Sequence, residues 1–253
     1  MKSYALLSDL FISWLAVYGS MVAIYFITGW VIGKIVANRP DLKIQKGKEV
    51  LRENEIVDIK QSMISLISVS FLIGLGYTLQ KHGYTLFPIP DYSLLQMIIL
   101  YPLFWIMSLI IYDTWFYWIH RLMHIQPIFK YVHAWHHRKS LRTISVWANN
   151  SDTVWDNLIL QSYWCFAFIL FPFPPIVLFT HKIYDHITGL IGHSGYEISG
   201  SLPLKFKMIV AVVHHDQHHS AVKYNFATHF TWWDRMIGTL HPDYDDQNQS
   251  FKR

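Results

Sequence analysis

Apolar residues run along this chain in stretches longer than an ordinary core helix needs. The first covers Leu10 to Ile32, interrupted only by Ser, Thr and Gly. The second covers Met63 to Leu79, and the third Leu94 to Ile119 with Asp113 as its one acidic interruption. A fourth runs from Val154 to Leu170, where Pro172, Pro174 and Pro175 break it before a short apolar piece ending at Thr180. About 20 apolar residues suffice to cross a bilayer as a helix, and proline stops a helix because it lacks an N–H. The pattern therefore predicts an all-α integral membrane helical bundle of about four to five spans, the last part a hairpin that either crosses or re-enters. The first run is too long for a signal peptide and has no small-residue cleavage pattern after a basic start.

Composition agrees. Of the 253 residues, 52% are hydrophobic, 17% aromatic and 15% charged, against about 25% charged in an average soluble chain. Lys and Arg favour cytoplasmic loops. Lys34, Arg39, Lys43, Lys46, Lys48, Arg52 and Lys60 crowd the first connection, whereas only Lys81 marks the second. The first loop is then expected inside, the amino terminus outside and the carboxyl terminus inside. Arg138, Lys139, Arg142, Lys205, Lys207, Lys223 and Arg235 place the later segments on the same inner face. Lys182, with His181 and Asp185, fits poorly at mid-membrane, so residues 181–193 are expected to emerge inward.

The net charge of +4 matches basic loops beside anionic headgroups and calls for no nucleic acid. The single cysteine, Cys165, lies in an apolar run and excludes an intrachain disulfide and a thiolate metal site. The whole chain, 1–253, is expected to be a single membrane domain. Residues 1–93 form its N-terminal spans and basic loop, 94–240 its chemistry-bearing region, and 241–253 a polar tail that frays.

The chemistry lies in histidines. His120 and His124 form an HxxxH pair; His133, His136 and His137 form an HxxHH cluster; His193 stands alone; His215, His218 and His219 repeat HxxHH. Imidazole is the commonest metal ligand, and nine in this arrangement point to a site with more than one metal, a cytoplasmic histidine-rich cap on the bundle. In each HxxHH the first two rings, three apart, are expected to share a helix face and the third to point about 100° away, so that one turn serves two ions. His186, on the face of His193, and His214 are surplus ligand candidates. Lone histidines such as His82, His229 and His241 are expected to be structural.

Asp113, Tyr117, His120 and His124 fall on one stripe, so Asp113 is a candidate to orient a ligand ring through its distal N–H. Asp216 is a second such candidate. Asp152 is expected to cap the helix that follows it, and Asp234 and Arg235 to pair. Trp115, Phe116, Tyr117, Trp118 and Trp147 are candidates for a substrate passage or an interfacial belt. Imidazoles alone suit Zn, Cu, Fe or Ni, and no HExxH supplies a zinc-protease base.

The run Asp113, Tyr117, His120, Arg121, His124, then His133, His136 and His137, resembles the membrane fatty acid hydroxylase/sterol desaturase superfamily. So do His193-Ser-Gly-Tyr-Glu197, His215-Asp-Gln-His218-His219, Asn225-Phe226 and Trp233-Asp-Arg-Met-Ile-Gly-Thr239. The likeness covers roughly residues 100–240. It implies an O2-dependent non-haem di-iron oxidoreductase, with the nine histidines holding two Fe ions and O2 as co-substrate. The expected activity hydroxylates or desaturates an alkyl carbon of a membrane lipid, fatty acyl or sterol-like, in lipid biosynthesis. The His-Ser-Gly-Tyr-Glu stretch leans toward the sterol-acting branch. The segment Ser145 to Asp152 lacks the His or acidic marker of many sterol-acting members, and Gly189 stands where some carry a further histidine.

With no haem, flavin or ferredoxin motif in the chain, electrons are expected from an external carrier of ferredoxin or cytochrome b5 type, docked at Arg138, Lys139 and Arg142. The expected location is multi-pass in a bacterial inner membrane or the endoplasmic reticulum. Two other classes use similar residues. A membrane zinc hydrolase would need a carboxylate base, for which Glu197 and Asp216 are the near candidates. A metal transporter would spread its ligands across the bilayer, whereas these gather at one end.

Overall fold

The computed structural model describes residues 2–138 and 144–251. Its regular structure is helical, apart from two isolated bridges. Among the described residues, three helices are long and apolar enough to cross a membrane: α1 (Lys2–Ala37), α2 (Arg52–Lys81) and α3 (Leu94–Met123). Each overruns the apolar stretch that signalled it, because polar turns extend the helix beyond the lipid-length core. α3 starts on a reciprocal cap: Ser93 Oγ accepts the Gln96 N–H at 3.3 Å and Gln96 Oε1 accepts the Ser93 N–H at 2.9 Å, which satisfies two amides the helix leaves free.

α2 is the central post. It is the most buried of the three, while α1 and α3 expose large apolar side chains such as Phe11, Ile27, Leu95 and Ile98. An apolar surface of that extent fits lipid rather than water. Gly74 and Gly76 let neighbours approach α2 closely. A Cβ at Gly74 would lie 2.9 Å from the Trp14 backbone N, and one at Gly76 2.8 Å from the Cys165 Cα. Small residues permit this close helix approach in membranes.

The fourth apolar run splits into α4 (Val154–Leu160) and α5 (Ser162–Leu170), and α6 (Pro175–Gly192) returns after the prolines. The expected hairpin is thus α5–α6. With nine residues, α5 is about 13 Å long and stops short of a bilayer core of about 30 Å. Gln80 Nε2 donates to the carbonyls of Phe168 and Phe173, both at 3.1 Å, which satisfies backbone acceptors where the hairpin turns. Met21, Leu66, Ile73, Tyr112, Trp164 and Phe168 knit α1, α2, α3 and α5 into the main core.

A polar stripe on α2 holds the segment that carries the second histidine cluster. Asp58 pairs with Arg138; Gln61 Nε2 donates to the Asp152 carbonyl at 2.6 Å; Ser62 donates to the Trp147 carbonyl at 3.2 Å; Asn157 Nδ2 donates to Ser65 Oγ at 2.6 Å. These positions recur at helical spacing, so one face of α2 fixes one loop.

Beyond α6 come α7 (Leu202–Lys205), α8 (Val212–Ala221), α9 (Trp232–Ile237) and α10 (Tyr244–Ser250). The tail expected to fray forms α10 instead. Tyr244 is buried and its hydroxyl accepts the Ala211 N–H at 3.1 Å, while Arg235 pairs with Asp245 at 2.6 Å. Tyr244, Asp245 and Gln247 thus tie α10 to the α8 and α9 region.

Candidate metal centre

The histidines come from four places. His120 lies in the last turn of α3 and His124 caps that helix; His133 closes a π-turn over Phe129–His133, with His136 and His137 in the turns after it. His193 caps α6 and His215, His218 and His219 lie on α8. Two groups form. One holds His120, His124, His133, His137 and His218; the other holds His136, His193, His215 and His219. Within each, one donor atom per residue lies within 4.8 Å of all the rest.

Each HxxHH therefore serves both groups, as its spacing suggested, but the pairing differs from expectation. The rings four apart go together (His133 with His137, His215 with His219) and the middle ring crosses to the other group. On an α-helix residues four apart differ by about 40° in direction and those three apart by about 60°. The closer pair converges.

Ring tautomers follow from what each distal nitrogen touches. His120 Nδ1 donates to the Phe226 carbonyl at 2.8 Å, His218 Nδ1 to the Tyr224 carbonyl at 2.7 Å and His193 Nδ1 to the Gly189 carbonyl at 2.9 Å. His133 Nδ1 meets Asp156 Oδ2 at 2.6 Å, and His136 Nδ1 lies 2.8 Å from Asp152 Oδ1. Their Nε2 atoms are thus bare acceptors turned inward.

Nε2 atoms face one another within the groups: His120 and His133 at 3.1 Å, His137 and His218 at 3.1 Å, His193 and His215 at 2.8 Å, His193 and His136 at 3.4 Å. Opposed lone pairs repel unless a cation sits between them. Two nitrogens at right angles on a metal, each about 2.1 Å from it, stand about 3 Å apart. Both groups fit a metal ion on that test. Burial keeps His124, His133, His137, His193, His215, His218 and His219 neutral and available as donors. Loss of water, reinforced by neighbouring imidazoles, moves His193 down to about 3 and carries His133, His137, His215, His218 and His219 well below the usual histidine range.

The two surplus candidates stand outside both groups. His186 Nε2 meets the Met21 carbonyl at 3.2 Å, and His214 Nε2 meets Asp234 Oδ2 at 3.0 Å. Asp234 also accepts the amides of Phe226 and Ala227, so its partner is His214 and not Arg235. Neither expected orienting acid touches a grouped ring. Asp113 accepts the amides of His229 and Phe230 and the Trp232 indole N–H, at 2.8, 3.2 and 2.7 Å, and so straps the loop before α9 to α3. Asp216 accepts from Gln45 Nε2 at 2.9 Å, and burial pushes its carboxyl up to about 6. The acids that meet grouped rings are Asp156, hydrogen-bonded to His133, and Asp152, in ion-pair contact with His136. Thr153, not Asp152, caps α4, its hydroxyl accepting the Asp156 N–H at 3.1 Å. An Asp pair four apart was visible in the sequence, but nothing local tied it to the histidines.

A cavity of about 280 Å³ abuts both groups. His120, His133, His136, His193 and His215 reach it, with Phe116, Leu160 and Ile191 among its apolar walls. Of the aromatics proposed for a passage only Phe116 lines it. Trp115 donates to the Leu160 carbonyl, Tyr117 bonds Thr239, Trp118 is 43% exposed, and Trp147 packs on Gly29. Arg138 is drawn in by Asp58 and stacks 4.1 Å over Trp135, so it is not an open docking charge. Lys139 and Arg142 lie outside the described residues.

Residues 105–239 match the fatty acid hydroxylase family. Methylsterol monooxygenase 1 of Rattus norvegicus is 34% identical over 131 residues, covering 51% of this chain and 44% of the relative. The C-4 methylsterol oxidase of Schizosaccharomyces pombe is 30% identical over 137 residues, 50% of this chain and 43% of the relative. Cholesterol 25-hydroxylase of Mus musculus is 30% identical over 185 residues, 66% and 59% respectively. The matched part thus spans less than two thirds of each of these relatives. No solved structure matches the chain.

Proposed function

Because this chain belongs to the fatty acid hydroxylase family, we propose that it is an O2-dependent oxidoreductase that hydroxylates, or desaturates, an alkyl carbon of a sterol-like or fatty acyl membrane lipid. The observation that carries this is the pair of inward-facing imidazole groups beside an apolar-walled cavity. The nine histidines would hold two iron ions. When bound, these supply O2 reduction and removal of hydrogen from an unactivated C–H bond.

Hydroxylation balances as R–H plus O2, two electrons and two protons giving R–OH and water. Desaturation consumes the same inputs and yields an alkene and two waters. The chain's own part is positional. Asp156, Asp152 and the carbonyls of Phe226, Tyr224 and Gly189 hold ring orientation. Phe116, Leu160 and Ile191 keep water from the carbon that approaches His193 and His215.

The basic first loop supports placing the site on the cytoplasmic side. Electrons would come from an external acidic carrier. A second opening, beside His124 and lined by Arg121 and Lys223, suits its approach better than Arg138 does.

The hydrolase reading needs a carboxylate free to activate water. Asp152 and Asp156 face ring nitrogens, Glu197 accepts the Val213 amide, and Asp216 is held by Gln45. None is left for that role. Metal analysis of anaerobically purified protein, with O2 uptake on added sterol or fatty lipid and reductant, tests the proposal. Iron content near two per chain and reductant-dependent O2 uptake with lipid product are expected. Zinc-dependent turnover under nitrogen would overturn it.

A further inference from the structure

The cavity is not apolar throughout. At the end remote from His193, α6 turns Lys182 and Asp185 into it, and Tyr112 and His229 close it from α3 and the loop before α9. Lys182 Nζ is 2.8 Å from Asp185 Oδ2 and 3.0 Å from Gln161 Oε1. Charge is therefore balanced within the cluster. Two polar atoms there, both beside Asp185, make no hydrogen bond of good geometry. The Tyr112 hydroxyl and His229 Nε2 are buried without a hydrogen bond, and His229 Nε2 stands 3.5 Å from Asp185 Oδ1. Tyr112 is 0% and His229 5% exposed.

These groups are held in place. Asp113 accepts the His229 backbone N–H at 2.8 Å, and the Lys182 ammonium sits 4.9 Å over the Trp164 ring. An unpaired buried polar group weakens a fold, and a buried ion pair is no better than apolar packing for stability. Two such side chains in the wall of a cavity leave hydrogen-bonding capacity beside the space a ligand would fill.

The geometry points to a polar subsite that recognises a neutral oxygen, hydroxyl or carbonyl, on an otherwise apolar lipid, with Tyr112 and His229 as its hydrogen-bonding groups. Neutrality follows because Lys182 and Asp185 compensate each other, leaving no net charge for an anionic or cationic headgroup. Asp185 precedes His193, the C-cap of α6, by eight residues, about 12 Å along the helix axis. The subsite would hold the lipid's oxygen at about that distance from the carbon presented to the histidines. This inference rests on the lipid-oxidising function proposed above and specifies its substrate class.

Binding tests it without turnover. Affinities of the full-length protein in detergent micelles would be compared for cholesterol against its 3-deoxy analogue, and for 1-hexadecanol against hexadecane. At least one oxygenated probe is expected to bind about tenfold tighter than its hydrocarbon partner, the effect of one or two good hydrogen bonds. Tyr112→Phe, which removes the hydroxyl and keeps the ring in the wall, should shrink that preference severalfold while leaving the hydrocarbon's affinity unchanged. His229→Gln, which keeps a polar group but moves it, should reduce it as well. Equal affinity within both pairs, or a preference that survives in both variants, overturns the subsite. Since binding requires neither O2 nor electrons, a protein that prefers the alcohol yet fails to oxidise any lipid would refute the enzymatic function alone.

Discussion

Asp156 Oδ2 lies 2.6 Å from His133 Nδ1, and each side chain is 3% exposed. The carboxylate fixes which ring nitrogen is bare and where it points, a role whose loss elsewhere weakens metal binding about 10- to 100-fold. Asp156→Ala should lower metal affinity by that range, measured by competition with a chelator, and Asp156→Asn, which retains an acceptor, by less. Unchanged affinity in Asp156→Ala would show that His133 needs no orienting partner.

His136 and His137 are chain neighbours in different groups, one of four donors and the other of five. His136→Ala leaves three nitrogens in its group, whereas His137→Ala leaves four. Metal content by mass spectrometry should fall toward one ion per chain in the first variant and stay nearer two in the second. The reverse order would contradict the assignment of rings to groups.

The depressed pKa of the buried rings sets a pH dependence for the metal-free protein. His193 titrates at about 3 when folded and near 6.5 when unfolded. Below about 6.5 the unfolded chain therefore binds more protons than the folded one, and stability falls with pH. It is fully present above that value and declines toward about 3. Each ring protonated only in the unfolded state contributes a slope of about 1.4 kcal/mol per pH unit. Thermal unfolding of chelator-treated protein should show a lower Tm at pH 5.5 than at pH 7.5. A flat profile would mean that the rings are protonated when folded.

Gly76→Ala drives a methyl group against the Cys165 backbone, 2.8 Å from its Cα. Backbone cannot step aside as a flexible side chain would. The substitution should destabilise by about 1–3 kcal/mol, read as a fall in Tm in detergent, without changing the ratio of metal to folded protein.

Lys223 flanks the opening beside His124. Lys223→Glu should raise the KM for an acidic electron carrier several-fold at low salt and have little effect at high salt, where screening shortens the reach of charge to about 3 Å at 1 M. Equal KM for wild type and variant at low salt would remove this face from consideration.

Much of this was readable from the chain. The spans announced themselves by length, and the histidines by fixed local spacing, because both signals are contained in short windows. What could not be read is what depends on contacts distant in sequence. Asp113 shares a stripe with His120, yet its carboxylate is claimed by amides 116 and 117 positions away. Asp156 reaches His133 only because the polar face of α2 folds the intervening loop back. The pairing of rings failed for a different reason. His133 ends a π-turn rather than a regular helix, and even on the regular α8 the nearer azimuth belongs to the ring four along. Lys182, which fits poorly at mid-membrane, is buried and paired with Asp185 and Gln161, partners that its apolar surroundings in the sequence do not announce.

Since the neighbours His136 and His137, and again His218 and His219, belong to opposite groups, an ion held by either group would fix backbone on which the other depends. Filling one site would then lower the ordering entropy that the second must still lose. Thermodynamic reciprocity would make each ion a helper of the other, and half-filled wild-type molecules would be scarce in an equilibrium titration.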